Sequence, residues 1–525
     1  MRSIAQSSGL RKPMVQTFII GRYNNMKKRV FAFITSVMLA LSAFMGCSES
    51  GTTEETEHSL DIQTENTTTV PEETELSRAD TPDNLPANLN FDGLSVPVLY
   101  RGGVDEQEIY VEELTGDIVD DAVFNRNASV SERLNITFSY VPTGTYTAQE
   151  FPAEATGSIQ AMSDDYAIIS WAQYSILPLC LKNMILDISG AKYIDFGMPW
   201  WNTEYMDILQ IGGDKRFFLM GDIALNSLKV TAAVFFNQKV YTDLFGEYDS
   251  LYNTVTEGRW TIDELYGLAE KGYVDLNGDG KKNNGDLWGI SATTVANTEL
   301  FAFGLGLKLI GRNTDGLPEL IAQDERNYTV LDKMNELYWN NPGMNKSYDD
   351  GQAFNSPTVA NLFAQNEILF LPLWLKTCEY LRDMESGYGI IPYPKLDEAQ
   401  ENYISLVQDT SSIFCIPITC KHSDEIGAVI EAMCAENYRT VIPAYYDTAL
   451  KNKYSRDLVS SQMIDLIHAT SMTDFGYAYN YSIGNIGTIM RTVVAQNGSM
   501  ASTVAKSVKV VNKSLDKLVK AYLGD

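Results

Sequence analysis

One stretch of the chain, DLNGDGKKNNGD at 275–286, carries oxygen donors at alternating positions. Set on the ligand pattern of an EF-hand loop, the donors are Asp275, Asn277, Asp279, the Lys281 carbonyl and Asp286. Asn283 reaches the ion through water, and Gly280 takes the sharp turn. Oxygen-only donors suit a hard cation, so calcium is the expected cofactor, in a structural role. Asp286 stands where such loops usually carry a bidentate Glu, and a shorter carboxylate binds through one oxygen or weakens the site. The competing reading is an Asx-rich turn that holds no metal. Sensor loops come in pairs flanked by helices, whereas this single loop precedes a strand-like run, LWGISATT (287–294). It therefore reads as a clip that holds a domain together without touching its solute.

Other chemistry finds little material. The three histidines (His58, His422, His468) are scattered, and none of the six cysteines forms a CxxC. Cys180, Cys378, Cys415, Cys420 and Cys434 read as buried thiols, with Cys415–Cys420 or Cys415–Cys434 open as a disulfide. There is no GxSxG, HExxH or P-loop, and FGLGLKLIG (303–311) is not a GxGxxG. No pair among the 68 acidic residues is nominated for glycoside hydrolysis, so no enzyme is expected. With 40 basic residues the formal net charge is −28, and no basic cluster lies beyond the N-terminus. Nucleic acid is not an expected partner.

The N-terminus reads as an address. Lys27, Lys28 and Arg29 precede an uncharged, mostly apolar run, Val30–Met45, and then Gly46–Cys47. The run is shorter than the roughly 20 residues that span a bilayer. Residues 26–46 are expected to be a lipoprotein signal peptide, with Cys47 carrying acyl chains such as palmitate. Residues 1–25 read as an overextended start. The polar, acidic stretch 47–90 is expected to be a disordered linker. This layout places the protein on the extracellular face of the cell membrane, held by lipid alone.

At 525 residues the chain exceeds one comfortable core, so two lobes are expected. LSVPVLYR (94–101), ITFSYV (136–141) and Tyr166–Ser170 read as strands, and DAVFNRNASVSERLN (121–135) as a helix. VTAAVFFNQKVYTDLF (230–245) is a strand running into a helix. In RWTIDELYGLAEKG (259–272) Thr261 and Glu264 have capping-box spacing. EILFLPLW (367–374) and YGIIPYPK (388–395) are strands, and helices dominate from Ser423 onward. Strand–helix alternation implies parallel α/β organisation.

Four phrases, DYAIISWAQYSILPL, AAVFFNQKVYTDLF, EGRWTIDELYGLAEK and FAQNEILFLPLW, followed by YGIIPYPK, carry a resemblance in their order and spacing. The chain resembles the family 1 extracellular solute-binding proteins of ABC importers, the branch of maltose-binding protein. DIVDDAVFNRN and YIDFGMPWW are similar to a group of Firmicute lipoproteins within it. Gln238 interrupts the family's Asn-Lys pair, and Asn366 and Leu373 replace its usual glycines. The resemblance implies the periplasmic-binding-protein type II fold, α/β, with two mainly parallel sheets flanked by helices and joined by hinge crossovers. Lobe 1 would comprise 91–230 and 376–436, and lobe 2 would comprise 231–375 and 437–525. It also implies a monomeric receptor that passes a small solute, most readily a carbohydrate, to permease subunits. A receptor for a peptide, polyamine or anion, and a surface carbohydrate-active enzyme, remain the alternatives.

Sugars offer apolar C–H faces and rings of hydroxyls, so binding needs aromatic platforms and short polar groups. Trp171 follows a strand whose end would meet the crevice, and Trp374 matches the family's cleft tryptophan; each could instead be core. Of Trp200 and Trp201 one is expected in the core and one near the cleft. Asp222 is either a hydroxyl acceptor or a turn residue. Tyr445 and Asp447 sit at a helix entrance that in the family reaches ligand, with capping and core packing as the other reading. Arg101 ends the first strand as a ligand contact or a surface charge. Trp260, Trp288 and Trp339 read as structural.

Overall fold

The computed structural model describes residues 77–523, apart from 103–105, 144–150, 214, 284, 347–356 and 452–457. Cys47, the signal peptide and residues 1–76 lie outside the described residues. Among the described residues no helix is long and apolar enough to cross a membrane.

Two sheets organise the chain. The first contains β1 (Leu94–Arg101), β2 (Ile136–Thr143), β3 (Ile168–Ala172) and a later strand. The second contains β4 (Ala232–Asn237), β5 (Trp288–Ser291) and three later strands. Between them in sequence lies a hairpin of β6 (Ile310–Arg312) and β7 (Pro318–Leu320). The second sheet is completed by β8 (Met344–Asn345), β9 (Ile368–Trp374) and β10 (Tyr388–Ile391), in the order β10-β4-β9-β5-β8. After β11 (Ser405–Leu406), β12 (Ser412–Cys415) joins the edge of the first sheet, giving β12-β3-β1-β2. A short β13 (Ser471–Met472) follows late in the chain.

In the first sheet β1 pairs in parallel with β2 and β3, and β12 runs antiparallel to β3. The second is evenly mixed rather than mainly parallel: β4 runs antiparallel to both β10 and β9, while β5 is parallel to β9 and β8. All five residues of β3 and all six of β4 are buried, as strands covered on both faces must be.

The helices start where their caps dictate. Asp117 opens Ile118–Leu134 by accepting from the N–H groups of Val119 and Asp120, and Asn135 closes it with a left-handed turn at φ 49°. Thr261 Oγ1 accepts the Glu264 N–H at 3.3 Å and opens Ile262–Lys271. That helix lies directly on β5. A Cβ on Gly289 would sit 1.8 Å from the Ala269 carbonyl oxygen, so only glycine permits this approach.

Three segments pass side by side between the sheets. Thr231, before β4, bridges Val407 in antiparallel sense, and the Gln408 N–H donates to the Val230 carbonyl at 3.2 Å. β11 then pairs in parallel with β13, and the Val407 N–H donates to the Met472 carbonyl at 2.8 Å. This corrects the lobe boundaries. The chain does not return to the first lobe at residue 376. Its β10 adds to the second sheet through the ladder Tyr388–Asn237 to Ile391–Val234, and the return comes at 405–411. The stretch Asn437–Lys451, assigned to the second lobe, packs on the first-lobe helix Ile118–Leu134.

The linker expectation also fails from residue 77 onward. Asp83 accepts both Arg133 guanidinium N–H groups at 2.6 and 2.7 Å and lies 3.4 Å from Arg439. Leu85 is buried, and the Arg78 guanidinium stacks 4.5 Å above the Tyr438 ring. The composition is polar, but the Asp83 carboxylate, Leu85 and the Arg78 guanidinium dock the segment on the first lobe.

Candidate functional site

The end of β3 and the crossover before β12 meet between the two sheets. The Gln173 N–H donates to the Ser411 carbonyl at 3.1 Å, and Gln173 Oε1 accepts the Tyr205 hydroxyl at 2.8 Å. Gln173 Nε2 is buried without a hydrogen-bond partner among the described residues. Beside it, the Arg101 guanidinium at the end of β1 donates to the Thr410 carbonyl at 2.8 Å. The Asp409 N–H donates to the Tyr477 hydroxyl at 3.4 Å.

Across from these groups, Glu299 on helix Ala296–Gly304 pairs with the Nε of Arg491. The Glu299 side chain is 1% exposed and that of Arg491 40%, so the pair runs from the interior towards solvent. Burial pushes Glu299 up to about 8 and Asp409 up to about 6, in each case against the pull of Arg491. At the rim, Tyr481 is 53% exposed and leans on the buried Tyr174, with ring centroids 5.2 Å apart at 58°. Burial, with Asp409 and Tyr481 nearby, raises the Tyr174 phenol well above its ordinary value. The cluster thus offers an open aromatic face, an amide, a guanidinium and buried carboxylates beside the three crossing segments. These are the groups that recognise a polyhydroxylated solute.

Of the residues nominated from sequence, this cluster gathers Arg101, which is buried rather than a surface charge. Trp171 is 0% exposed, lies opposite Ile413 and meets Phe151 edge-on at 5.7 Å, so it is core and not a cleft platform. Trp374 is likewise enclosed, opposite Ala232 at the first crossover, with Lys376 Nζ 5.3 Å from its ring. Trp200 and Trp201 both point inward, contrary to the expected split. Their indole N–H groups donate to the two oxygens of Glu431 at 3.0 and 2.9 Å.

Asp222 is buried. Its Oδ1 lies 3.5 Å from His468 Nε2, and its carbonyl accepts the Asn437 amide at 2.7 Å. Tyr445 sits in a core shared by Val123, Phe235 and Leu371. Asp447 lies on helix Ile442–Lys451, and its side chain falls outside the described residues. Sequence reasoning missed Gln173, Tyr174, Asp409, Glu299, Tyr481 and Arg491. The available signal was the end of β3, read two residues too early.

The oxygen-rich loop runs from helix Ile262–Lys271 to β5, closed at its base by the Val274–Leu287 bridge. Asp275 accepts the N–H groups of Gly278 and Gly280 at 2.7 and 2.9 Å, Asn277 accepts that of Asp279, and Asp279 that of Lys281. Gly280 has φ 73°, as the turn requires. The five described cysteines (Cys180, Cys378, Cys415, Cys420, Cys434) are free thiols, so neither disulfide alternative is formed.

No family model and no curated protein matches the sequence. Solved structures do match. UspC of M. tuberculosis aligns at TM-score 0.53 and 12% identity, over 80% of this chain and 100% of that one. The GacH receptor of Streptomyces glaucescens, solved unliganded and with acarbose, aligns at 0.51 and 12%, over 81% and 98%. An ABC transporter solute-binding protein of Thermotoga lettingae, bound to α-D-tagatose, aligns at 0.50 and 14%, over 81% and 100%. The fold is the periplasmic-binding-protein type II fold. The three crossing segments join the two sheets, and the cluster around Asp409 lies beside them.

Proposed function

We propose that the chain is a non-enzymatic receptor that captures a small carbohydrate or oligosaccharide between its lobes and delivers it to the permease subunits of an ABC importer. It works as a monomer on the extracellular face of the cell membrane, anchored through a lipid on Cys47. The observation that carries this reading is the Tyr481–Tyr174 pair beside the crossing segments, with Arg101, Gln173 and the Glu299–Arg491 pair behind it. The shared fold supports it, since the GacH receptor was solved with acarbose and the Thermotoga lettingae protein with tagatose.

The two raised carboxylates, Asp409 and Glu299, are what a hydrolase reading would invoke. Glu299 is 1% exposed and salt-bridged, which suits a fixed recognition group better than an acid that must meet a glycosidic oxygen. Incubation of the protein with an oligosaccharide panel separates the readings. Thermal shifts without product formation support the receptor, and turnover overturns it.

A further inference from the structure

We infer that Asp275, Asn277, Asp279 and the Lys281 carbonyl bind a calcium ion together with Asp286, which serves as a one-oxygen ligand. The inference stands independently of the solute reading. The alternating donors alone would not carry it, because their hydrogen bonds also build an ordinary chain of Asx turns. The deciding observation is Asp286. The residue is 0% exposed, yet only one of its oxygens is satisfied. Oδ2 accepts the Tyr273 hydroxyl at 3.1 Å and the Asn283 N–H at 3.0 Å, while Oδ1 is buried with no hydrogen-bond partner among the described residues. A buried carboxylate oxygen with no donor to meet it is costly, and a cation beside it would satisfy it.

The neighbouring lysine does not supply that cation. Lys282 Nζ donates to the Pro342 carbonyl and lies 4.8 Å from the Tyr273 ring centroid. Among the described residues no three acidic, histidine or cysteine side chains converge into a preformed metal cage. What holds the oxygens apart is an amide. Asn283 Nδ2 donates to Asp279 Oδ2 at 2.9 Å and to the Lys281 carbonyl at 3.4 Å, and Asn277 Nδ2 donates to Asn283 Oδ1. Binding exchanges these N–H dipoles for the ion, releasing Asp279 Oδ2 and the carbonyl and drawing Asp286 Oδ1 inward. Without nitrogen or sulfur donors the site favours calcium over transition metals. With Oδ2 already engaged by Tyr273 and Asn283, Asp286 has one oxygen to offer. The site is therefore weaker than one with a bidentate Glu, in the range of extracellular calcium modules.

Terbium luminescence on the full chain tests this directly. Tyr273 touches Asp286, and Trp288 lies 5.4 Å from the Tyr273 ring, so both can sensitise an ion in the loop. The expected result is saturable emission displaced by calcium, with the ion alone raising Tm. Asp279→Asn and Asp286→Asn should each weaken calcium by about tenfold or more, as loss of a charged ligand implies. Absence of displaceable emission and of a Tm rise at millimolar calcium overturns the inference. Emission that survives unchanged in both variants overturns it as well. Should Asp286→Asn fail to fold, the exposed Asp279→Asn decides alone.

Discussion

Tyr481 reaches across from late in the chain to rest on Tyr174, two residues after β3 ends at Ala172. One ring is exposed and the other buried, so the pair presents a platform that is already braced. Tyr481→Ala removes the platform without opening a core. Sugar affinity measured by calorimetry should fall about tenfold or more, with Tm nearly unchanged. Unaltered affinity would place the solute elsewhere.

Trp171→Ala should behave in the opposite way. An enclosed indole removed from the first sheet leaves a cavity and costs about 3–5 kcal/mol in denaturant unfolding. Binding per folded molecule should persist. Gly289→Ala, a smaller change, should also destabilise, by about 1–3 kcal/mol, because its methyl meets the Ala269 carbonyl.

Glu431 makes stability pH-dependent. Burial pushes it up to about 7 despite the hydrogen bonds from Trp201 and Trp200. The unfolded chain releases this proton near 4.5, so the folded protein binds more protons between about 4.5 and 7. Its contribution is therefore present at low pH and is lost as pH rises through that window. Tm recorded from pH 5 to 8 should decline, and Glu431→Gln should flatten the decline.

Asp83 pulls in the other direction at the acid end. Burial raises its carboxyl, but the bonded Arg133, aided by Arg439, brings it below its ordinary value. That contribution is present above pH 4 and lost as the pH falls further. Asp83→Asn should lower Tm at neutral pH and speed proteolysis between residues 77 and 90, with the difference shrinking as the pH falls through the carboxylate range. Equal loss at neutral and acid pH would assign the effect to packing rather than charge.

Anchoring is tested separately. Cys47→Ala should abolish incorporation of labelled palmitate and release the protein into the medium. Retained label would move the lipid to another residue.

The alternating pattern of strands and helices was legible because long apolar runs such as Ala232–Asn237 and Ile368–Trp374 have few other uses. The site was less so. β3 is buried on both faces, so its side-chain alternation carried no information, and Trp171 could not be told from Gln173 as the residue at the crevice. β12 is four residues and β13 two, too short to leave a period in the sequence. Tyr174 and Tyr481, like Glu299 and Arg491, meet only through the fold. Trp200 and Trp201 misled because adjacent residues were expected to diverge, whereas Glu431 offers two oxygens to two indoles.

The triple crossing has a mechanical consequence. Thr231, Val407 and Met472 lie on three adjacent, hydrogen-bonded segments, so the two sheets are joined by a ribbon rather than by a cord. A ribbon bends about one axis and resists twisting, which in the proposed receptor would confine the lobes to a single path between open and shut. Apparent affinity then scales with the fraction of molecules already shut. Residues of the ribbon, next to the proposed capture surface but not part of it, would then become a dial by which evolution can retune the proposed capture without redesigning that surface.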